Sequence, residues 1–214
     1  MTLPTITVVT PWLGHHDLAE GFTTAVAPEL REGDHVIIVD NGDAPALWME
    51  GTRLDGHGNL GYAKGSNYGL LHAKTDAVLF LNNDIALKWG GWLDTIRAAL
   101  EPGVLVGPIR SGEHASVDGN PMPYIDGWCL AGMREDLTKL GGFDETLMEP
   151  AYYSDNLLCL EARAAGMSLR EVRPGLVHKL NATARPLGPA VIQAATTANR
   201  ARYIARAREL LVAA

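Results

Sequence analysis

Val78-Leu79-Phe80-Leu81-Asn82-Asn83-Asp84 decides how this chain folds. Four consecutive apolar residues read as a strand buried on both faces, and the run ends abruptly in three small polar side chains. In an open α/β sheet, ligands sit just beyond the carboxyl ends of the strands. Asp84 therefore stands where a hard cation and a phosphate would lie, with Asn82 and Asn83 supplying neutral oxygens beside it. An Asn/Asp turn closing a strand is the plainer reading of the same residues, and the remaining segments decide between the two.

Upstream, Thr5-Ile6-Thr7-Val8-Val9-Thr10 has the β-branched content of a first strand, which Pro11 is expected to stop. Leu18, Phe22, Ala25 and Val26 follow the helical period from Asp17 to about Leu30. His35-Val36-Ile37-Ile38-Val39-Asp40 is a second buried strand, with Asn41-Gly42-Asp43 as the turn after it. Strand, helix, strand with near-continuous apolar strands means a parallel sheet. Thr52-Arg53-Leu54 is a short third strand. Asn59 to Leu70 is a glycine-bearing loop that opens a helix running to about Ala73, its free amides facing the ligand side. The glycine spacing fits neither a Walker loop nor the dinucleotide fingerprint, because Lys64 precedes Gly65 and no Gly-Lys-Ser/Thr follows.

Downstream, Trp89, Trp92, Leu93, Ile96 and Leu100 read as an amphipathic helix ended by Pro102 and Gly103, with the tryptophans in the core. Val104 to Gly107 is another strand. Ser111 to Pro123, polar and rich in Gly and Pro, is expected to be a mobile loop, a lid that orders over a bound ligand. Tyr124 to Met133 reads as one strand and Asp136 to Leu140 as a short helix, before the turn Gly141-Gly142-Phe143-Asp144-Glu145. Leu157 to Ala165 is helical with Gly166 as its C-cap, Ser168 to Val172 is a late strand, and His178 follows it. From Pro189 the tail is helical, its apolar side facing the domain, a second copy or a surface.

At 214 residues the chain fits one domain, or one domain with a small appendage. A formal net charge of -7 argues against nucleic acid or an anionic membrane as partner, though a divalent metal would still let it hold a diphosphate. Cys129 and Cys159 have no metal-ligand spacing and read as buried, reduced thiols. The N-terminus enters a strand without a basic n-region, and no apolar run reaches the length of a membrane span. The expected compartment is the cytoplasm.

The order of these segments resembles the inverting family 2 glycosyltransferases of the GT-A fold, including the rhamnosyltransferase-like branch. The resemblance rests on Val39-Asp40-Asn41-Gly42, Asn59-Leu60-Gly61, Gly65-Ser66-Asn67-Tyr68-Gly69, Leu81-Asn82-Asn83-Asp84, Gly141-Gly142-Phe143-Asp144-Glu145, Tyr153-Ser154-Asp155 and His178, over about residues 5 to 183. It implies a Rossmann-like three-layer α/β sandwich with a mostly parallel central sheet: a catalytic domain over 1–188 and a C-terminal helix over 189–214. It implies a nucleoside-diphosphate sugar donor, a hydroxyl acceptor, and Mg²⁺ or Mn²⁺.

The resemblance also assigns residues. Asp40 accepts a hydrogen bond from the nucleobase, which favours UDP or dTDP over GDP, or else it caps its turn. Thr10 and Pro11 flank the base. Trp12 stacks on it or fills a surface groove. Asn59, Gly61, Gly65, Asn67, Asn82 and Asn83 surround the donor. Asp84 is the metal ligand, and His178 completes the metal site or is a structural histidine. Gly127, Trp128 and Asp144 border the acceptor or sugar pocket, with a core Trp as the alternative for Trp128. Asp155 is the base that takes the acceptor proton, with helix capping as its plainer role and Glu149 as the next candidate. The family's other two carboxylates at this position are Ser154 and Leu157 here. That departure keeps open a sugar-nucleotide binding module without catalysis. A nucleotidyltransferase is the third reading, against which Thr10-Pro11-Trp12-Leu13-Gly14 carries no basic residue.

Overall fold

The computed structural model describes residues 3–47, 49–56, 58–112, 115–147, 152–179 and 188–213. Its strands are β1 (Ile6–Trp12), β2 (His35–Asp40), β3 (Thr52–Asp55), β4 (Ala77–Leu81), β5 (Ile85–Leu87), β6 (Val104–Gly107), β7 (Ile109–Arg110), β8 (Tyr124–Ile125), β9 (Cys129–Met133), β10 (Ser168–Glu171) and β11 (Leu176–His178). Its helices are α1 (Ala19–Val26), flanked by 3₁₀ turns, α2 (Gly61–His72), α3 (Trp92–Ala99), α4 (Arg134–Leu140), α5 (Ser154–Ala164) and α6 (Pro189–Ala213).

Seven strands form one sheet in the order β10-β6-β9-β4-β1-β2-β3. Every neighbouring pair is parallel except those of β9, which runs antiparallel to β4 and to β6. Alternation along the buried strands sends Ile6 and Val8 to one face and Val9 to the other. The first face packs Phe22 and Ala25 of α1 with Trp92, Leu93 and Ile96 of α3. The second packs Ala63 and Leu70 of α2, Leu137 of α4, and Leu158 and Ala162 of α5. This is the expected three-layer sandwich with a mostly parallel sheet.

Several local expectations are corrected. Pro11 does not stop β1. Pairing with β4 has already ended at Val9–Phe80, so a residue without an N–H is tolerated there and the strand runs on to Trp12. The segment from Tyr124 to Met133 is two strands, β8 and β9, separated by a turn at Asp126 to Trp128. Trp89 precedes α3 and is half exposed, so of the two tryptophans only Trp92 is core. Two glycines of α2 serve packing: a Cβ on Gly69 would overlap Val9, and one on Gly65 would sit 3.1 Å from Pro11. They let the helix lie close against β1.

The C-terminal helix packs on its own chain. Ala195, Tyr203 and Ala207 are buried, and Tyr203 and Ala207 cluster with Val117, Leu147, Tyr153, Leu157 and Leu160. Tyr203 donates to the Ala115 carbonyl at 3.0 Å, and Arg208 pairs with Asp118. The middle of the segment expected to be a lid is thus tied down, Ala115 and Val117 being buried, while 113–114 lie outside the described residues. At the opposite end of the sheet, Arg97 and Asp34 form a buried pair at 2.5 Å. Arg97 also donates to the Pro4 carbonyl, and Asp34 accepts from the N–H of Ile6, joining α3 to the starts of β1 and β2. Among the described residues no helix is long and apolar enough to cross a membrane.

Candidate active site

β4 is buried along its length and ends at Leu81, so Asn82, Asn83 and Asp84 emerge at the carboxyl edge of the sheet. The next three residues form β5, which pairs antiparallel with β11 and sets His178 opposite Ile85. That pairing brings His178 Nε2 to 3.0 Å from Asp84 Oδ1 and 3.2 Å from Asn82 Nδ2. One nitrogen cannot satisfy both neighbours: protonated, it donates to Asp84, and deprotonated, it accepts from Asn82. The Trp128 ring stacks on the imidazole at 5.2 Å, with 11° between the planes. His178 Nδ1 is buried without a hydrogen-bond partner among the described residues.

This pair suits a small divalent cation. Two atoms 3.0 Å apart match adjacent corners of an octahedron with bonds of about 2.1 Å, and a carboxylate oxygen with an imidazole nitrogen is an ordinary donor set for such an ion. Among the described residues no three His, Cys, Asp or Glu side chains converge. Among the described residues, Asp84 and His178 are the two side chains here that could hold such an ion.

The turn between β8 and β9 joins this pair to Asp155. The Trp128 carbonyl accepts from the Asn82 N–H at 2.9 Å. Gly127 N–H donates to Asp155 Oδ2 at 2.8 Å, and the Gly127 carbonyl accepts from the Tyr62 hydroxyl. Asp155 lies in the first turn of α5, and its Oδ1 accepts from the Asn156 N–H. It is not the helix cap; Tyr153 occupies that position. Burial pushes the Asp155 carboxyl up and the Asp126 carboxylate adds to this, while the N–H groups of Gly127 and Asn156 pull it back. The outcome is a pKa of about 6, in the range where a carboxylate works as a general base near neutrality. Tyr152 and Tyr153, immediately before α5, both hold φ of 74°. Two successive left-handed residues that are not glycine store strain, a feature that concentrates at functional sites.

Other expected donor residues are occupied within the protein. Asp40 Oδ1 accepts from the N–H groups of Gly42 and Ala44, and Oδ2 pairs with Arg53. Partial burial pushes its carboxyl up, but the Ala44 N–H, the Arg53 guanidinium and the Gly42 N–H outweigh this and hold it below the usual range. A nucleobase would have to displace Arg53. Asn59 Oδ1 accepts from the N–H of Gly61, the first residue of α2. Asn67 bonds the Phe143 backbone at both N–H and carbonyl and reaches Glu145, bracing α2 against the double-glycine turn. Trp12 is fully buried, packed edge-on against Phe22 with its N–H on the Gly14 carbonyl. It is therefore core, and no base can stack on it. Thr10, also fully buried, and Asn83 each keep an unpartnered polar atom among the described residues, Thr10 Oγ1 and Asn83 Nδ2.

Asp144 accepts from Thr146 and faces Arg202 at 3.4 Å. It borders a cleft of about 650 Å³ between α5 and α6 that none of Asp84, Trp128, Asp155 or His178 lines. Glu149 lies outside the described residues. Tyr62 and Asp126 were missed in the sequence. Tyr62 meets Gly127 65 residues along the chain, which no local pattern reveals. Asp126 stands beside Gly127 and carried a signal only as a carboxylate in a turn.

No family model matches the chain, and no curated protein matches it. Solved structures do. The mannosyltransferase PcManGT from Pyrobaculum calidifontis, in complex with GDP-Man and Mn²⁺, superposes with a TM-score of 0.68 at 15% identity, covering 100% of this chain and 75% of that one. GalNAc-T7 with UDP, GalNAc and Mn²⁺ gives a TM-score of 0.68 at 13% identity, covering 83% of this chain and 44% of that one. Residues 1–349 of S. aureus TarS give 0.53 at 13% identity, covering 79% and 59%. The chain has the GT-A glycosyltransferase fold.

Proposed function

We propose that this protein is a divalent-metal-dependent glycosyltransferase that moves a hexosyl or deoxyhexosyl group from a nucleoside-diphosphate sugar to an acceptor hydroxyl with inversion, akin to family 2 and its rhamnosyltransferase-like branch. The observation that carries this reading is one turn, Gly127-Trp128, contacting both the Asp84–His178 pair and Asp155. Asp84 and His178 would hold Mg²⁺ or Mn²⁺ against the donor's phosphates. Bound there, the ion would stabilise negative charge on the departing diphosphate as a Lewis acid. Asp155 takes the proton of the attacking hydroxyl, and inversion follows from attack on the face opposite the leaving group. Structural neighbours crystallised with GDP-Man or UDP support a nucleotide ligand without choosing a base. UDP and dTDP come first because the resemblance sets Asp40 against the base, where a pyrimidine imino N–H would take the place of Arg53. The cytoplasm is proposed as the compartment, on two buried, unpaired thiols. A homodimer through α6 would have to use its outer face, since the inner one is taken.

The test is a thermal-shift panel of UDP, dTDP and GDP with their sugars, with and without Mn²⁺. A ligand at a hundred times its dissociation constant stabilises by about 2.7 kcal/mol, so the cognate nucleotide stands out. No metal-dependent shift with any nucleotide overturns the reading.

Leu157 supports a second reading, a binding module without catalysis. It replaces a family carboxylate and is largely buried in the α5–α6 cluster, where it offers an acceptor no charge or hydrogen bond. Binding without release of nucleoside diphosphate on adding acceptors would favour that reading.

A further inference from the structure

Tyr62 stands on the first turn of α2, far in sequence from the proposed base, yet its hydroxyl bonds the carbonyl of Gly127, whose N–H bonds that base. Its ring is held from behind. It packs on Phe143 at 5.3 Å, and Phe143 packs on Phe80 of β4 at 4.8 Å. The hydroxyl therefore does not search for a partner; an aromatic stack rooted in the strand that carries Asn82 to Asp84 aims it. Gly127 needs this support because a turn residue without a side chain has no anchor of its own. It must also remain glycine, since a Cβ there would lie 3.1 to 3.4 Å from the Asp155 side chain.

We propose that Tyr62 is a positioning residue for Asp155, acting through Gly127 to hold the turn N–H on the carboxylate. This rests on the assignment of Asp155 as the base and extends it to a residue with no chemical part in transfer. Tyr62 itself moves no proton: burial, with Asp155 nearby, pushes its hydroxyl well above its ordinary range, so it stays a donor throughout the working pH. The charge on Asp155 is also coupled to Asp126 in the same turn, Tyr124 of β8, Tyr153 and Cys159 beside or on α5, and Tyr203 of α6. The tyrosines and the thiol are all shifted upward, chiefly by burial, and are neutral below pH 8. Asp126 is the charged neighbour in this set and is common to wild type and variants.

The experiment is a ¹³C-carboxyl NMR titration of the metal-free protein, with the Asp155 resonance assigned by its loss in Asp155→Asn. Wild type is expected to titrate near 6. Tyr62→Phe keeps the ring on Phe143 and removes only the hydroxyl. Its Asp155 should titrate higher by roughly half a unit or more, because a weakened N–H donor favours the protonated form. Mn²⁺-dependent binding of UDP and GDP should be unchanged within about twofold, since neither metal-pair residue moves. Gly127→Ala, which crowds the carboxylate directly, should shift the titration in the same direction. A shift in Gly127→Ala with none in Tyr62→Phe overturns the proposal, as does an unchanged titration in both. The titration uses no sugar donor, so failure of the transferase reading would appear separately, as absent nucleotide binding.

Discussion

Asp155 Oδ2 and the backbone N–H of Gly127 are 2.8 Å apart, and that single bond ties the carboxylate on α5 to the turn whose next residue stacks on His178. The two halves of the proposed chemistry therefore share one piece of backbone. Asp155 is nonetheless poorly compensated: the backbone N–H groups of Gly127, Asn156 and Asp155 itself do not offset its burial and Asp126 beside it.

That poor compensation makes Asp155 a stability cost above neutrality. Its folded pKa of about 6 lies above the ordinary 3.8. The extra stability of the protonated form is therefore fully present below pH 3.8 and lost as pH rises through 6. A shift of about two units corresponds to roughly 3 kcal/mol. Asp155→Asn abolishes the ionisation but turns an amide group toward an N–H that needs an acceptor, which costs about 1 kcal/mol. Urea unfolding at pH 8 should find the variant about 2 kcal/mol more stable than wild type, with the gain gone by about pH 4. Transfer should fall at least ~100-fold. A variant that is less stable at pH 8 would refute the strained-carboxylate account, and near-wild-type transfer would move the base elsewhere.

Asp84 and His178 should separate under mutation. Asp84→Ala removes the only carboxylate of the pair and should abolish the Mn²⁺-dependent part of nucleoside-diphosphate binding, measured by calorimetry with and without EDTA. His178→Ala should weaken the same binding by about tenfold or more, because phosphate and water supply the other ligands. It should also change the fluorescence of Trp128, whose stacking partner is gone. Loss of folding stability with unchanged metal dependence would make His178 a packing residue.

The Arg97–Asp34 pair carries no chemistry and should matter only to stability. Burial pushes Asp34 up, but Arg97 and the N–H groups of Arg31 and Ile6 outweigh it and hold the carboxyl below 3.8. Its contribution is therefore present above pH 3.8 and lost as pH falls through the lower folded value. Arg97→Met leaves a buried carboxylate unpaired and should cost about 3–5 kcal/mol at pH 7. The gap from wild type should narrow toward pH 3, where Asp34 in the variant is neutral. Chemical unfolding at the two pH values measures both, and a pH-independent gap would assign the loss to packing.

Tyr203 should govern the segment that begins at Ala115. Its hydroxyl reaches the Ala115 carbonyl, and its ring lies on Tyr153 beside the strained entry to α5. Amide exchange at Ala115 and Val117 should be slow without ligand and unaffected by nucleotide with Mn²⁺. It should speed up in Tyr203→Phe, by a factor set by a bond of about 1 kcal/mol. Protection that appears only on adding nucleotide would restore the lid.

Much of the sheet was readable because its strands are buried on both faces. Val36 to Val39 is an unbroken apolar run between His35 and the Asp40 carboxylate, and the strand spans His35–Asp40. β5, β7 and β11 span only two or three residues, too few to show a period, and β5 with β11 is the pair that brings His178 to Asp84. Motif order singled out Asp84, Asp155 and His178, which the fold gathers around one turn. It singled out Trp12, Gly65 and Asn67 by the same signal, and the contacts of these three are packing and bracing ones. Composition cannot separate a tryptophan that stacks on a ligand from one that fills the space beside Phe22. Tyr62 was invisible because its importance lies in one hydroxyl reaching a backbone carbonyl across the fold.

The separations within the site also bear on the order in which the protein assembles. Asn82 meets His178 across 96 residues, Tyr62 meets Gly127 across 65, and Gly127 meets Asp155 across 28. Closing such long loops precedes any reward from the contacts they make, so these junctions belong to the late side of the folding barrier. A metal ion or nucleotide then has nothing to grip in the transition state. In stopped-flow chevrons, Mn²⁺ with the cognate nucleotide should slow unfolding and leave the refolding arm where it was, so that the ligand acts as a lock on the finished molecule and not as a template for it.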